Sequence, residues 1–159
     1  MYRRIMVPLD GSKLAECVLP HLESIAGGCN PDEVVLVTVT ERIPGYRLIE
    51  DHQTDAAVRE REVPEAVGKK ERQGQKYLDR IAKGLQSKAI KVKTEVLMGD
   101  PAQEITFAAE HGECDLIIMA SHGRSGPSRW AFGSVADKVF RASCVPVLMV
   151  RGPGCAPGL

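Results

Sequence analysis

Apolar residues follow two different periods along this chain. Five segments are short and apolar enough to be β-strands, and they are Arg4–Leu9, Glu33–Val39, Lys91–Met98, Leu116–Met119 and Val145–Val150. Between them, apolar residues recur every three or four positions, as on the buried face of a helix. The predicted helices begin near Ser12, Pro64, Pro101 and Ser134. The first of them is expected to bend at Pro20 and to end at Gly27 and Gly28.

Strands and helices that alternate in this order predict an α/β fold. We expect a doubly wound, five-stranded parallel sheet with strand order 3-2-1-4-5, Rossmann-like, with helices on both faces. The third strand lies at one edge in this order, which suits its alternating charged and apolar residues. Residues 1–151 are predicted to form a single domain, and the Gly- and Pro-containing tail 152–159 to be disordered. The charged segment Thr40–Val67 shows little periodicity and is interpreted as a long mobile excursion.

A loop that contains Gly123, Gly126 and Gly133 joins the fourth strand to the last helix. Ser134 follows the last of these glycines and is expected to be the N-cap of the helix. Glycines let backbone amides approach an oxyanion, and a helix start adds unpaired donors and a partial positive charge. The loop matches neither a Walker A loop nor G-x-G-x-x-G, so on this ground alone turn residues explain the glycines equally well.

The predicted strand order favours the phosphate-binding interpretation of this loop. In that order the winding direction reverses between the first and fourth strands. Ligands of open α/β sheets bind at such a switch point, outside the carboxyl ends of the strands. The segments Pro8–Asp10 and Ala120–Ser134 meet there, so the sequence predicts a phosphate site between them.

Composition narrows the range of partners. Lys plus Arg and Asp plus Glu both number 21, so no net charge attracts a polyanion. No apolar segment is long enough to cross a bilayer, and no signal-like segment opens the sequence. The five cysteines include no C-x-x-C pair and fit a reducing compartment. A cytoplasmic location is therefore expected, with neither nucleic acid nor a membrane as partner.

Four stretches of the chain resemble the universal stress protein family: RRIMVPLDGS at 3–12, MASHGRSG at 119–126, GSVA at 133–136 and CVPVLMV at 144–150. The resemblance implies the doubly wound fold, dimers joined through the last strand and, in one branch of the family, bound ATP. That branch carries G-x2-G-x9-G-S/T, whose positions correspond here to Ala120, Gly123, Gly133 and Ser134. Only the first glycine is replaced, so the resemblance favours the ATP-binding branch. The alternative is the branch without nucleotide, a dimeric interaction module of the same fold.

The resemblance also implies roles for individual residues. Asp10 would accept hydrogen bonds from adenine or ribose, although its carboxylate suits a helix cap equally well. Val39 would bound the adenine, and backbone amides near Gly133, with the Ser134 hydroxyl, would hold the phosphates. The predicted nucleotide-binding residues are Pro8, Leu9, Asp10, Val39, Met119, Ala120, Gly123, Arg124, Gly133, Ser134 and Val135. The expected ligand is ATP, with ADP and AMP as alternatives, together with Mg²⁺ that bridges the phosphates.

Catalysis is not predicted, beyond slow ATP hydrolysis at most. Phosphoryl transfer needs a cation at the γ-phosphate and a group that orients the nucleophile, and the chain has neither a Walker lysine nor an evident base. His122 is interpreted as a loop-shaping residue because no carboxylate adjoins it. His111 and Cys114 have H-x2-C spacing but lack a second pair, so they predict no metal site.

The last strand, Val145–Val150, carries none of the charges that protect an exposed sheet edge. A bare apolar edge strand invites pairing with another strand. The sequence therefore predicts a two-fold dimer in which the last strand of one copy lies against that of the other. The alternative is that a helix or the C-terminal tail covers this edge.

Overall fold

Parallel strands and helices alternate along the chain. The structure, a computed structural model, describes residues 2–40, 65–121 and 133–152, with the backbone alone at positions 65–67. The strands are β1 (Arg4–Pro8), β2 (Glu33–Thr40), β3 (Val92–Met98), β4 (Leu116–Ala120) and β5 (Val147–Val150). The helices are a 3₁₀ helix (Ala15–Val18), α1 (Leu19–Cys29), α2 (Glu65–Gln86), α3 (Pro101–His111) and α4 (Ser134–Ala142). Most of the predicted excursion and the tail from residue 153 lie outside the described residues.

The strand order is β3-β2-β1-β4-β5, and every neighbouring pair is parallel, which confirms the predicted fold class. β1 pairs with β2 along its whole length, from Arg4 to Pro8. With β4 it pairs only at Ile5–Leu116 and Met6–Ile117. The ladder between β1 and β4 thus stops before either strand ends. The winding reverses between these same two strands, so a crevice opens at their carboxyl ends.

Side chains of the central strands alternate between two apolar layers. The layer shared with the 3₁₀ helix, α1 and α2 contains Ile5, Val7, Leu36 and Ile118. Met6 and the other side chains that point to the opposite face of these strands pack against α3 and α4. Because β1 and β4 are covered on both faces, their sequences are continuously apolar. No helix in the described part of the chain is both long enough and apolar enough to span a bilayer.

The first helical segment differs from the predicted one. The chain forms a 3₁₀ helix at Ala15–Val18, and α1 begins only at Leu19. Pro20 lies in the first turn of α1, where its missing N–H leaves no helical hydrogen bond unmade, so it starts the helix and does not bend it. Gly27 and Gly28 lie within α1, which ends at Asn30 with φ of 48°. Asparagine tolerates this left-handed conformation better than most residues, so it takes the role predicted for the glycines.

Gly74 brings α2 close to the ends of β2 and β3. A Cβ atom at this position would lie 2.9 Å from Cγ2 of Thr38 and 3.5 Å from Cγ1 of Val96. The neighbouring Gln75 fastens the helix, because its amide nitrogen donates to Thr94 Oγ1 at 2.8 Å. The amino-terminal half of α2 is therefore held directly against the sheet.

Two glycines of α2 should respond oppositely to substitution by alanine. Nothing lies within 4 Å of a Cβ built at Gly84, so Gly84→Ala should raise the free energy of unfolding by about 0.5–1 kcal/mol through helix propensity. At Gly74 the methyl group meets Thr38, and overpacking costs about 1–3 kcal/mol, so Gly74→Ala should lower the free energy of unfolding. Urea denaturation followed by circular dichroism measures both variants.

Thr38→Ser in the Gly74→Ala background provides the control for this contact. It removes the Cγ2 atom that the new methyl group meets, so it should restore most of the lost stability. Equal gains at Gly74 and Gly84 would show that α2 does not rest on Thr38.

Candidate functional site

A cleft of about 670 Å³ lies at the carboxyl ends of β1, β2 and β4. This volume is in the range of sites that bind small molecules and cofactors. The predicted site residues that line it are Pro8, Leu9, Asp10, Val39, Met119, Ala120, Gly133, Ser134 and Val135. Gly123 and Arg124 lie outside the described residues, as do His122 and the rest of the loop from 122 to 132.

The turn after β1 holds Asp10 at the cleft. Asp10 Oδ1 accepts a hydrogen bond from the Ser12 N–H at 2.9 Å, and Ser12 Oγ accepts one from the Ala15 N–H at 3.1 Å. Gly11 has φ of 84°, a conformation that favours glycine. Ser12 thus holds the first amide of the 3₁₀ helix, whose N-cap is Leu14, while Asp10 shapes the turn. A carboxylate has further acceptor sites, so shaping the turn is compatible with binding a ligand.

The start of α4 corrects the prediction for Ser134. Gly133 is the N-cap, Ser134 is the first helical residue, and no side chain caps this end. The Gly133 N–H donates to the Ser121 carbonyl at 2.8 Å, and the Asp137 N–H closes the first turn on the Gly133 carbonyl at 2.9 Å. This link to the end of β4 sets the helix start one residue earlier than the sequence pattern suggests. It also engages the Gly133 amide, which was expected to bind phosphate.

The next amides of α4 are the available donors. Those of Ser134, Val135 and Ala136 make no hydrogen bond to any other described residue, and all three residues line the cleft. The carboxylate of Asp137 makes no capping hydrogen bond to them and accepts one from Arg141 Nε at 3.0 Å. Unpaired amides at the positive end of a helix form a site for an anionic group.

Ala120 occupies the first position of the expected glycine motif. Its side chain belongs to the apolar layer shared with Ala15 and Val150, on the face of the sheet covered by the 3₁₀ helix. Met119 and Ala136 of α4 belong to the opposite layer. The methyl group of Ala120 therefore points away from the amides of α4, and the space in front of them does not depend on a glycine at this position.

The sequence analysis missed the wall of the cleft that α2 provides. Lys70, Gln73, Gly74 and Tyr77 line the cleft and occupy one stripe of the helix. Toward the carboxyl end of α2 the same helical face consists of the buried residues Leu78, Ile81, Ala82 and Leu85. Extending the apolar stripe toward the amino end by its own period would have identified these positions. The sequence analysis did not identify them because they are mostly polar, and a polar stripe of a helix usually faces solvent.

Tyr77 carries a buried hydroxyl group in this wall. The hydroxyl has no hydrogen-bond partner among the described residues. Burial, and then the carboxylates of Glu16 and Asp10, raise the pKa of Tyr77. The Arg80 guanidinium carbon lies 5.3 Å from the centre of the ring and, through Nη2, contacts Glu16 Oε1 at 2.8 Å. The phenol is therefore a neutral donor held between α2 and the 3₁₀ helix.

His111 and Cys114 form no metal site with the rest of the described chain. His111 Nδ1 lies 2.9 Å from the Phe107 carbonyl oxygen, and the Cys114 thiol is buried. Within residues 2–40, 65–121 and 133–152, no three potential ligands among His, Cys, Asp and Glu cluster together.

Comparison with known proteins agrees with this fold. The sequence profile of the Universal stress protein family matches residues 1–151. The chain belongs to the universal stress protein family. Universal stress protein MJ0531 of Methanocaldococcus jannaschii is 33% identical over 153 residues, which cover 96% of this chain and 84% of the relative. Universal stress protein MJ0577 of the same organism is 30% identical over 155 residues, 95% of this chain and 96% of the relative.

Solved structures of universal stress proteins share the architecture. The structure of MJ0577 superposes with a TM-score of 0.77 at 32% identity and covers 95% of this chain and 96% of that one. UspA from Lactobacillus plantarum has a TM-score of 0.66 at 22% identity and covers 94% and 98% of the two chains. The second likeness shows the fold alone. Together they show that this chain shares its α/β architecture with solved universal stress proteins.

Removing the Tyr77 hydroxyl should change stability at alkaline pH. The pKa of Tyr77 in the folded chain lies above its ordinary value of 10.0, so the unfolded chain loses this proton first as the pH rises. The wild type should therefore lose stability above about pH 10, and Tyr77→Phe should lack this part of the loss. Near neutral pH the variant should be at least as stable, because the hydroxyl makes no hydrogen bond to the described residues.

Urea unfolding at a series of pH values tests this. Tyr2→Phe, at an exposed tyrosine, is the control and should follow the wild-type curve. Parallel curves for wild type and Tyr77→Phe above pH 10 would contradict the assignment.

Proposed function

We propose that this chain is an ATP-binding universal stress protein, a dimer whose shape or partners change with the bound nucleotide in a stress response. The observation that carries the proposal is that three amides of α4, which make no hydrogen bond to the described residues, line the same 670 Å³ cleft as the Asp10 carboxylate. Amides at a helix start suit phosphates, and a carboxylate suits the hydroxyl or amino groups of a nucleoside. ADP and AMP fit the same arrangement.

The proposed contacts follow from this geometry. The phosphates would lie against the amides of Ser134, Val135 and Ala136, together with Gly123 and Arg124 of the preceding loop. Ribose would lie beside Asp10, and adenine beyond it, toward Val39. Pro8, Leu9, Met119 and Ala120 would form the floor, because they end the two central strands.

Mg²⁺ would join the nucleotide through its phosphates. Asp10 is the single carboxylate among the described residues of the cleft, and one carboxylate cannot form an all-protein cage for Mg²⁺. Mg²⁺ commonly keeps several waters and binds phosphate oxygens with one or two carboxylates, so these residues fit that mode. The ion would neutralise phosphate charge.

A second line of support concerns what the fold accommodates. A universal stress protein with 20% identity and a TM-score of 0.59, covering 95% of this chain and 98% of that one, has been solved in complex with cAMP. This architecture therefore holds an adenine nucleotide in at least one protein. The alternative function, an interaction module without nucleotide, requires a cleft filled by side chains, and the described side chains leave it open.

Hydrolysis is expected to be slow at most. Asp10 and Lys70 are the charged residues among the described lining of the cleft. A water molecule that attacks the γ-phosphate needs a side chain that orients it. Asp10 is poorly suited to this task because its carboxylate already shapes the turn after β1.

Nucleotide binding can be measured directly. Protein purified without added nucleotide, then denatured, should release adenine nucleotide detectable by chromatography, and emptied protein should bind Mg-ATP in calorimetry. Asp10→Ala should weaken Mg-ATP binding at least about tenfold, because a hydrogen bond to a charged group is lost. Asp32→Ala, at an exposed acidic residue outside the cleft, should leave the affinity unchanged.

An empty cleft with no calorimetric response to Mg-ATP would favour the interaction module. Equal effects of the Asp10→Ala and Asp32→Ala substitutions on Mg-ATP affinity would show that Asp10 does not contact the nucleotide. Steady phosphate release from Mg-ATP would contradict the assignment of slow hydrolysis.

The dimer of the proposal uses β5. This strand ends the described sheet and pairs with β4 alone, and its Leu148 side chain is 37% exposed. An apolar edge strand of this kind is stable in water when a second strand covers it. A second copy in two-fold symmetry brings the same strand to the same edge.

Leu148→Lys should convert the dimer to monomer, because it places a charge in the proposed interface. Size-exclusion chromatography with light scattering gives the mass, which for the monomer is 17.3 kDa. Phe107→Lys, at an exposed residue of α3, is the matched control and should remain dimeric. A wild-type monomer, or a dimer that survives Leu148→Lys, would contradict pairing through β5.

A further inference from the structure

The inner face of α2 changes character along its length. In the carboxyl-terminal half this face consists of Leu78, Ile81, Ala82 and Leu85, all buried on the sheet. One and two turns earlier the same face carries Lys70, Gln73 and Tyr77, and these residues line the cleft. A helix face that becomes polar where it leaves the core and passes over a cleft is suited to contact a polar ligand.

The close approach of α2 to the sheet fixes the position of Gln73 over the cleft. Its neighbour Gly74 approaches Thr38 so closely that a Cβ would lie 2.9 Å from Cγ2 of that residue. Consecutive Cα atoms are about 3.8 Å apart, so Gln73 lies beside the end of β2. Val39, at the proposed adenine end of the cleft, directly follows Thr38. Gln73 therefore flanks the part of the cleft assigned to the base.

Two glutamines of this helix have contrasting environments. The Gln75 amide nitrogen donates to Asp79 Oδ1 at 2.7 Å and to Thr94 Oγ1 at 2.8 Å, so this side chain holds α2 on β3. The Gln73 side chain makes no hydrogen bond to any other described residue, yet it lines the cleft. The Thr40 hydroxyl, also at the end of β2, already donates to the Leu97 carbonyl at 3.2 Å. Among the described residues beside the end of β2, Gln73 thus has a carboxamide that is available to bind a ligand.

A carboxamide matches one edge of adenine. It presents an acceptor beside a donor, and adenine presents its 6-amino donor beside a ring-nitrogen acceptor. We propose that Gln73 is a specificity-determining residue that pairs with the amino edge of the base, an inference that rests on the proposed nucleotide function. The carboxamide oxygen accepts from the 6-amino group, and the carboxamide nitrogen donates to the adjacent ring nitrogen.

Purine riboside triphosphate, which lacks the 6-amino group, is the probe that isolates this contact. The affinities of the full chain for ATP and for this analogue are measured by competition against fluorescent ATP. Wild type should prefer ATP about five- to tenfold, the effect of one hydrogen bond. Gln73→Ala should bind ATP more weakly and should show no preference between the two compounds. Its thermal stability should be that of wild type, because Gln73 makes no hydrogen bond to the described residues.

Gln75→Ala is the matched control. It removes the bonds to Asp79 and Thr94, so its stability should fall while its preference for ATP remains. A preference retained by Gln73→Ala, equal weakening of both compounds by that substitution, or wild type without a preference would each overturn the inference. Wild type that binds neither compound would overturn the nucleotide function and this inference together, whereas the other outcomes leave the nucleotide function intact.

Discussion

The arrangement of this molecule depends on the reversal of winding between β1 and β4. Each of these strands is covered on both faces, and the ladder that joins them ends at Met6 and Ile117. The 3₁₀ helix that follows β1 and the helix α4 that follows β4 pack on opposite faces of the sheet. This arrangement opens a crevice between the ends of the two strands. The cleft is thus a consequence of the topology, and the residues around it only determine its chemistry.

The strands could be predicted from the sequence because burial on both faces leaves a direct mark on composition. Leu116–Met119 and Val34–Val37 are uninterrupted apolar runs, and no helix of a small domain needs such runs. Helix ends were less predictable, because they depend on tertiary hydrogen bonds. Ser134 is a better N-cap residue than Gly133 by propensity, but the bond from the Gly133 N–H to the Ser121 carbonyl decides the position of the helix start. No local pattern reveals that bond.

The part of the candidate site at the strand ends could be predicted, because the strands themselves could be recognised in the sequence. The part of the site that α2 contributes could not be predicted. Asp10 and Ser134 directly follow or precede recognisable elements, so topology alone brings them together. Lys70, Gln73 and Tyr77 come from a crossover helix whose placement depends on how closely its backbone approaches β2. Gly74 permits that approach, and its role becomes visible only when the neighbouring Thr38 side chain is known. Contacts between elements distant in sequence therefore carry the information that was missing.

The polar groups left without partners around the cleft relate stability to binding. The amides of Ser134, Val135 and Ala136 and the hydroxyl of Tyr77 make no hydrogen bonds to the described residues. The Tyr77 hydroxyl is buried, and a buried polar group without a partner costs about 1–3 kcal/mol. A ligand that supplies acceptors to them removes part of this cost in the folded chain but not in the unfolded one. Mass action then makes the free energy of unfolding increase with ligand concentration. A ligand that binds these donors thus makes the stability of the folded chain depend on ligand concentration.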